Sequence, residues 1–285
     1  MSTHHNEDFK DIKFSVSMCT YKNDNPEHLN QAIDSIINQT VKPDEIVLVV
    51  DGPVPLMLED VINKYESEGF IKVIRLEKNV GHGNARRIGL ENCKHDLIAI
   101  MDADDISLPD RFEKQIRCFI EDSTLSIVGG NIKEFIETTD RIVGIRAVPQ
   151  DDSEIKKFLK KRCPFNQQTV MFKASDVKAA GGYIDWYCNE DYYLWIRMYQ
   201  NNAKFKNLRD VLVFVRVGDD MYSRRGGWKY FRSEARLQKY MLDHKIIGFI
   251  QYIFNVLIRF ILQIMMPNKL RGFIFKKFAR INHVK

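Results

Sequence analysis

The strongest constraint on this chain is an alternation repeated through its first hundred residues, in which short apolar runs are separated by stretches with helical periodicity. Phe14 to Cys19 (FSVSMC), Glu45 to Val50 (EIVLVV), Lys72 to Leu76 (KVIRL) and Leu97 to Met101 (LIAIM) read as strands. Between them lie Glu27 to Asn38, with Leu29, Ile33, Ile36 and Ile37 on one face, then Leu58 to Ser67 and Asn84 to Asn92. Strands that are continuous apolar runs are buried on both faces. Alternating with helices, they predict an α/β fold, a Rossmann-like and mostly parallel sheet flanked by helices. A chain of 285 residues has room for one large domain of this kind with an appendage.

Ligands of such sheets sit beyond the carboxyl ends of the strands. Three of the four strands run there into polar residues: Thr20-Tyr21, Asp51-Gly52, and Asp102-Ala103-Asp104-Asp105. Three carboxylates within four positions repel one another, an arrangement tolerated when a divalent cation offsets it. Magnesium and manganese prefer carboxylate oxygen and are commonly shared with substrate phosphates. The alternative is an acidic loop capping the helix that begins near Pro109. After residue 105 come a helix (Arg111 to Ile120), a short strand (Ser126 to Gly129) and less regular sequence to about residue 223. Within it, Pro164 to Phe172 (PFNQQTVMF) and Asn189 to Met198 (NEDYYLWIRM) stand out.

An apolar fraction of 45% with 28% charged residues excludes both a disordered chain and a multi-span membrane protein. The net charge of +5 is unevenly placed. From Arg224 to Lys285 fourteen Lys/Arg face only Glu234 and Asp243, a net +12 that leaves −7 for the body. Two kinds of surface imply two kinds of partner. The five cysteines have no CxxC spacing, which argues for a reducing compartment and against disulfides or a zinc site. The polar N-terminus has no apolar core of a secretory signal, so the expected location is cytoplasmic.

The order of Ser15-Val-Ser-Met-Cys-Thr-Tyr21, Asp51-Gly52, Asn79-Val-Gly-His-Gly-Asn-Ala-Arg-Arg87, Asp102-Ala-Asp-Asp105 and Glu190-Asp191 resembles the inverting glycosyltransferases of family 2, with the GT-A fold. Within that family the likeness is to the bacterial branch that builds exopolysaccharide, capsule and O-antigen units, typified by amylovoran-type transferases. It is carried by Leu108-Pro-Asp-Arg-Phe-Glu-Lys-Gln115, Pro164-Phe-Asn166, Thr169-Val-Met-Phe172, Glu190-Asp-Tyr-Tyr-Leu-Trp195 and Arg224-Arg-Gly-Gly227. The resemblance implies that Thr20 and Tyr21 meet the nucleotide base, Asp51 the uracil ring, Arg86 the base or diphosphate, and Asp102 the ribose. It implies that Asp104 holds the manganese or magnesium ion that bridges the phosphates, with Asp105 supporting the loop. Asp191 is then the general base and Glu190 an auxiliary residue that pairs with a cation or positions the acceptor.

Departures qualify the match. Arg87 stands where the family has asparagine, and Gln167-Gln168 where relatives have a histidine. The Gln-x-x-Arg-Trp element of processive members is missing, which points to addition of a single sugar. Arg224 and Arg225 either close over the diphosphate, with Gly226-Gly227 as hinge, or begin a membrane-facing surface.

The divisions expected are a polar segment 1–12, a catalytic domain 13–223 and a basic, amphipathic helical tail 224–285. In that tail Ile246 to Met266 is long enough to span a bilayer. Its polar residues Gln251, Asn255, Arg259 and Gln263 fall four apart along one narrow stripe. A central arginine costs about 2.5–3.5 kcal/mol in a spanning helix. A helix in the plane of the membrane, followed by Lys269, Arg271, Lys276, Lys277 and Arg280 facing anionic headgroups, fits better. A helix packed on the catalytic domain or in a dimer is the alternative. Nucleic acid is not an expected partner, because the basic residues are interleaved with an apolar helix.

The expectation is a metal-dependent enzyme, peripheral at the inner face of the cytoplasmic membrane. It moves galactose or glucose from a UDP-sugar to a lipid-diphosphate-linked saccharide in surface polysaccharide synthesis. The rival is a catalytically silent nucleotide-sugar-binding protein that docks a partner through its basic tail.

Overall fold

The computed structural model describes residues 12–218 and 226–267. The first half alternates as its sequence dictates: β1 (Phe14–Thr20), α1 (Pro26–Ile37), β2 (Glu45–Val50), α2 (Leu56–Ser67), β3 (Lys72–Arg75), α3 (His82–Asn92) and β4 (Leu97–Asp102). The start of α1 has a local cause. Before α1 the Asn25 side chain accepts hydrogen bonds from the amides of Glu27 (2.8 Å) and His28 (3.3 Å), while Pro26 supplies a preset first position.

The second half is β5 (Ile106–Ser107), α4 (Arg111–Glu121), β6 (Ile127–Ile136), β7 (Thr138–Arg146), α5 (Asp152–Leu159), a 3-10 turn (Gln167–Thr169), β8 (Met171–Lys173), α6 (Ala174–Ala179), α7 (Glu190–Gln200) and β9 (Phe205–Arg216). Two further helices follow, α8 (Trp228–Asp243) and α9 (Phe249–Phe260), the latter running into a π-type turn over Ile261–Met265. The stretch that reads as irregular is thus largely ordered, and its short strand extends to ten residues as β6.

Among the described residues, the nine strands form one sheet in the order β3-β2-β1-β4-β8-β6-β9-β5, with β7 paired to the free length of β6. The quartet β3-β2-β1-β4 is parallel, and β6 is parallel to β9. The other pairings are antiparallel, so the expected mostly parallel sheet has its continuous parallel run in the N-terminal half and a mixed second half.

The period-two geometry of the strands divides the interior into two cores. Ala99 and Met101 of β4 join the core beneath α1, α2 and α4, while Ile98 and Ile100 join the core built by α5, α6, α7 and α8. Trp195 lies in the second, its ring against Phe165 and Phe172 at centroid distances of 5.5 and 6.3 Å. Leu237 and Met241 of α8 are buried there as well.

Arg111 and Gln115 hold the seam between the two halves of the sheet. The Arg111 side chain is wholly buried, and its guanidinium donates to the Ile100 carbonyl (2.8 Å) and to Gln115 Oε1 (3.0 Å). Gln115 Nε2 donates to the carbonyls of Val128 (2.7 Å) and Thr169 (2.8 Å). The side chains thus satisfy strand carbonyls that the break in pairing leaves open. Asn166 and Thr169 do the same for Gly130, through Asn166 Nδ2 to its carbonyl (2.8 Å) and its amide to Thr169 Oγ1 (3.1 Å).

Candidate active site

At the carboxyl ends of β1, β2 and β4 the chain opens into a cleft. His82, Arg86 and Asp102 line one part of it, Glu190 and Asp191 another, and Glu134, Arg146, Gln167 and Gln168 a third. Parallel pairing produces this convergence: Cys19 lies opposite Asp102, and Thr20 opposite Val50, which leads into Asp51.

Thr20 is buried, and its Oγ1 donates to Asp24 Oδ2 (2.9 Å), which also accepts the Tyr21 amide (3.1 Å). The ring of Tyr21 is exposed beside them. Asp51 is 6% exposed. Its Oδ1 accepts the Val80 amide (2.7 Å), and its Oδ2 accepts Asn79 Nδ2 (2.9 Å) and the Gly81 amide (3.2 Å). A carboxylate has about four acceptor positions, so this one braces the 79–81 loop and retains room for one further donor. Gly52 is forced by the same loop: its φ is +87°, and a Cβ would lie 2.6 Å from the Asn79 nitrogen.

Arg86 is buried on α3. One nitrogen donates to Asp102 Oδ1 (2.7 Å), and its Nε donates to His82 Nε2 (3.0 Å). Burial works against the guanidinium charge, and the Asp102 carboxylate outweighs it. The Arg86 charge and then desolvation push His82 down to about 4, leaving a neutral imidazole. Because Nε2 accepts from arginine, the ring proton resides on Nδ1, which faces Glu190 Oε1 at 3.5 Å. Arg87 points elsewhere, pairing with Glu91 on the outer face of α3 (2.9 Å).

Beyond β4, Asp105 is buried and accepts the Arg216 amide (2.9 Å), tying the loop to β9. Asp104 keeps an exposed side, while adjacent protein desolvates its carboxyl and the charges of Asp102 and Asp24 add to that, holding it up at about 6. Among the described residues no group of three or more His, Cys, Asp or Glu is placed to hold a metal ion by itself. Magnesium and manganese sites of one or two carboxylates completed by substrate phosphates need no such group. The mutual repulsion of Asp24, Asp102 and Asp104 is what a cation would relieve, so these residues fit one.

Glu190 and Asp191 open α7. A helix N-terminus favours carboxylates, yet burial and then the adjacent Asp191 charge push Glu190 up to about 7. Desolvation and repulsion therefore exceed the dipole here. Asp191 Oδ1 accepts the Tyr192 amide (2.6 Å), and Cys163 Sγ lies 3.8 Å from Oδ2. The α7 start is fixed from α8 through Asn189 Nδ2, which donates to Ser233 Oγ (3.2 Å).

Of the residues singled out in the sequence, Arg86, Asp102, Gln167, Gln168, Glu190 and Asp191 meet in the cleft. Thr20, Tyr21, Asp51 and Asp104 stand on the same rim outside its lining, Asp105 is buried behind it, and Arg224 and Arg225 lie outside the described residues. Sequence reasoning missed His82, Glu134 and Arg146. Glu134 offers a signal: a carboxylate within the apolar run of β6 has to be buried for a reason.

The model of Glycosyl transferase family 2 matches residues 15–178. An uncharacterized glycosyltransferase of Haemophilus influenzae is 42% identical over 270 residues, 94% of this chain and 100% of its own length. The amylovoran biosynthesis glycosyltransferase AmsE of Erwinia amylovora is 38% identical, covering 93% and 98%. The UDP-Gal:alpha-D-GlcNAc-diphosphoundecaprenol beta-1,3-galactosyltransferase of Escherichia coli is 36% identical, covering 94% and 97%. The crystal structure of S. aureus TarS 1–349 in complex with UDP-GlcNAc superposes with a TM-score of 0.63 at 18% identity, over 88% of this chain and 73% of that one, which shows the fold. With a parallel-sheet cleft of this make-up and relatives matched over nearly their whole length, the chain belongs to glycosyltransferase family 2 and has the GT-A fold.

Proposed function

We propose that this protein transfers one sugar, galactose or glucose, from a UDP-sugar to a lipid-diphosphate-linked saccharide. The setting is bacterial surface polysaccharide synthesis at the inner face of the cytoplasmic membrane, and the transfer inverts the anomeric carbon. The observation that carries the reading is the placement of two carboxylate centres in one cleft, Asp102 held by Arg86 and Asp191 paired with Glu190. The full-length match to a galactosyltransferase acting on a diphosphoundecaprenol acceptor supports the donor and acceptor classes.

In this reading Thr20, Tyr21 and Asp51 receive the base, Asp51 with its remaining acceptor position. Asp102 takes the ribose while Arg86 fixes its orientation. Asp104 holds manganese or magnesium, which when bound supplies positive charge to the diphosphate. The Asp191 carboxylate accepts the proton of the acceptor hydroxyl as that oxygen bonds to the anomeric carbon. The bond to UDP breaks with its electron pair leaving on the phosphate oxygen. Inversion follows from attack opposite the leaving group.

The test is incubation of the protein and membranes with a panel of labelled nucleotide sugars. Transfer from one UDP-sugar is expected, and Asp191→Asn and Asp104→Ala should each abolish it, with UDP binding retained in Asp191→Asn. Full activity in either variant would remove that residue from the mechanism. Tight UDP binding with no transfer and no donor hydrolysis would return the chain to the silent binder.

A further inference from the structure

Helix α9 is built inside out. A surface helix ordinarily buries its apolar stripe and exposes its polar one. Here Asn255, Arg259 and Gln263 are buried, whereas Ile250 is 86% exposed, Met265 67%, Phe249 66% and Phe254 60%. The cause lies in the turn that ends α5, whose carbonyls have no partner within the helix. Gln251 and Asn255 donate to the Lys160 carbonyl (3.3 and 3.0 Å), and Arg259 to that of Lys161 (2.9 Å). Asn255 also donates to Gln238 Oε1 (2.8 Å), and Arg259 forms an ion pair with Glu234, both partners on α8. The protein consumes the polar stripe, and the apolar side is left facing outward. Half of the large apolar side chains exposed among the described residues lie between positions 249 and 265. Among the described residues no helix is long and apolar enough to cross a membrane.

We propose that this outward face is a membrane-docking surface that rests in the plane of an anionic phospholipid bilayer. Charge identifies the occupant. The segment on which α9 docks belongs to the basic run Lys156-Lys-Phe-Leu-Lys-Lys-Arg162. From His244 to Lys285 the sequence carries eight Lys/Arg and no acidic residue. A second copy meeting this face about a twofold axis would set cation against cation. Anionic headgroups complement it, and apolar side chains enter the acyl boundary. Trp228, 56% exposed with its ring 6.1 Å from that of Phe260, extends the face with the residue type that favours a membrane interface.

The inference deepens, and rests on, the reading of a lipid-linked acceptor, because docking would bring the site to that substrate. The ledge beneath α9 continues from Lys160 and Lys161 directly to Cys163, whose sulfur lies 3.8 Å from Asp191. Helix α9 is therefore anchored on the segment that borders the candidate base.

The test is co-sedimentation of the full chain with phosphatidylcholine vesicles, with and without phosphatidylglycerol. It compares the wild type with an Ile250→Glu/Phe254→Glu variant and with Lys157→Glu/Lys161→Glu. All four positions except Lys161's backbone are free of the contacts that hold α9, so the fold should persist. Expected are binding that requires the anionic lipid, at least a tenfold loss in the first variant, and a loss confined to the electrostatic part in the second. Transfer to a water-soluble acceptor should be unchanged in the first variant, while transfer to a vesicle-embedded acceptor falls. Wild-type sedimentation by the first variant would overturn the proposal, as would a dimer that this variant dissociates. Vesicle binding without transfer to any acceptor would leave the docking surface standing and refute the transferase reading. Transfer without vesicle binding would do the reverse.

Discussion

Glu190→Gln gives a sharp test of the cleft's electrostatics, because the amide keeps the shape of the carboxyl and removes its titration. In the folded protein the Glu190 carboxyl is raised from 4.5 to about 7, first by burial and then by Asp191. A group whose pKa rises on folding contributes stability that is fully present below its unfolded value and is lost as pH climbs through the folded one. The loss should therefore run from pH 4.5 to about 7. At 1.36 kcal/mol per pKa unit its ceiling is about 3 kcal/mol. Since Glu190 sits at a helix start that also takes up negative charge, about 1–2 kcal/mol is the expected yield. Urea unfolding at pH 5 and pH 8 measures it: the variant should gain on the wild type by that amount as pH rises. In kcat/KM the acid limb belongs to the Glu190–Asp191 pair. It should move to lower pH once one carboxylate of the pair is replaced by a neutral amide. A stability difference independent of pH, with the acid limb unmoved, would refute the reasoning.

Two further substitutions probe the supports of the site. Gly52→Ala forces a Cβ to within 2.6 Å of the Asn79 nitrogen at a φ of +87°, so a cost of about 1–3 kcal/mol and weaker UDP binding are expected by thermal unfolding and calorimetry. Arg259→Met leaves the buried Glu234 carboxylate without its ion-pair partner and the Lys161 carbonyl without its donor, a loss of about 3–5 kcal/mol in urea unfolding. Adding Glu234→Gln should restore at least half of it, and no restoration would mean that the pair is not the source.

What the sequence disclosed is what adjacent residues determine. The four parallel strands and their helices were legible because each strand carries its own apolar run and each helix its own periodicity, with a side-chain cap at α1. Strand ends fall on one rim in such a topology, so the ordering of motifs placed Arg86, Asp102, Glu190 and Asp191 near one another. The second, mixed half of the sheet was not legible. β9 spans Phe205–Arg216 but pairs with β6 through register shifts near Asn131, which break the alternation that marks a strand. Glu134 and Arg146 enter the cleft from the antiparallel pair of β6 and β7, so both escaped notice. The roles of Arg111 and Gln115 were hidden differently: their motif was visible, but the carbonyls they satisfy lie on β4, β6 and the turn before β8. Asp51 shows a mixed outcome, since the carboxylate stands at the expected strand end while most of its acceptor capacity goes to the 79–81 loop.

The four-residue spacing of Gln251, Asn255, Arg259 and Gln263 shows why periodicity alone leaves orientation open. A repeat determines which residues share a face, and composition suggests that a polar face meets water. The choice is made elsewhere, by unsatisfied groups on another element. The carbonyls just past α5 that receive Gln251, Asn255 and Arg259 lie more than ninety residues earlier in the chain. Burying those carbonyls without donors would cost roughly 1–3 kcal/mol apiece, and Glu234 on α8 adds a buried charge that requires a cation. Turning the helix over would bury its isoleucines and phenylalanines but strand all of these groups together with Arg259. The polar side therefore faces inward because the domain has already committed acceptors to that position, and the apolar side faces outward as the consequence.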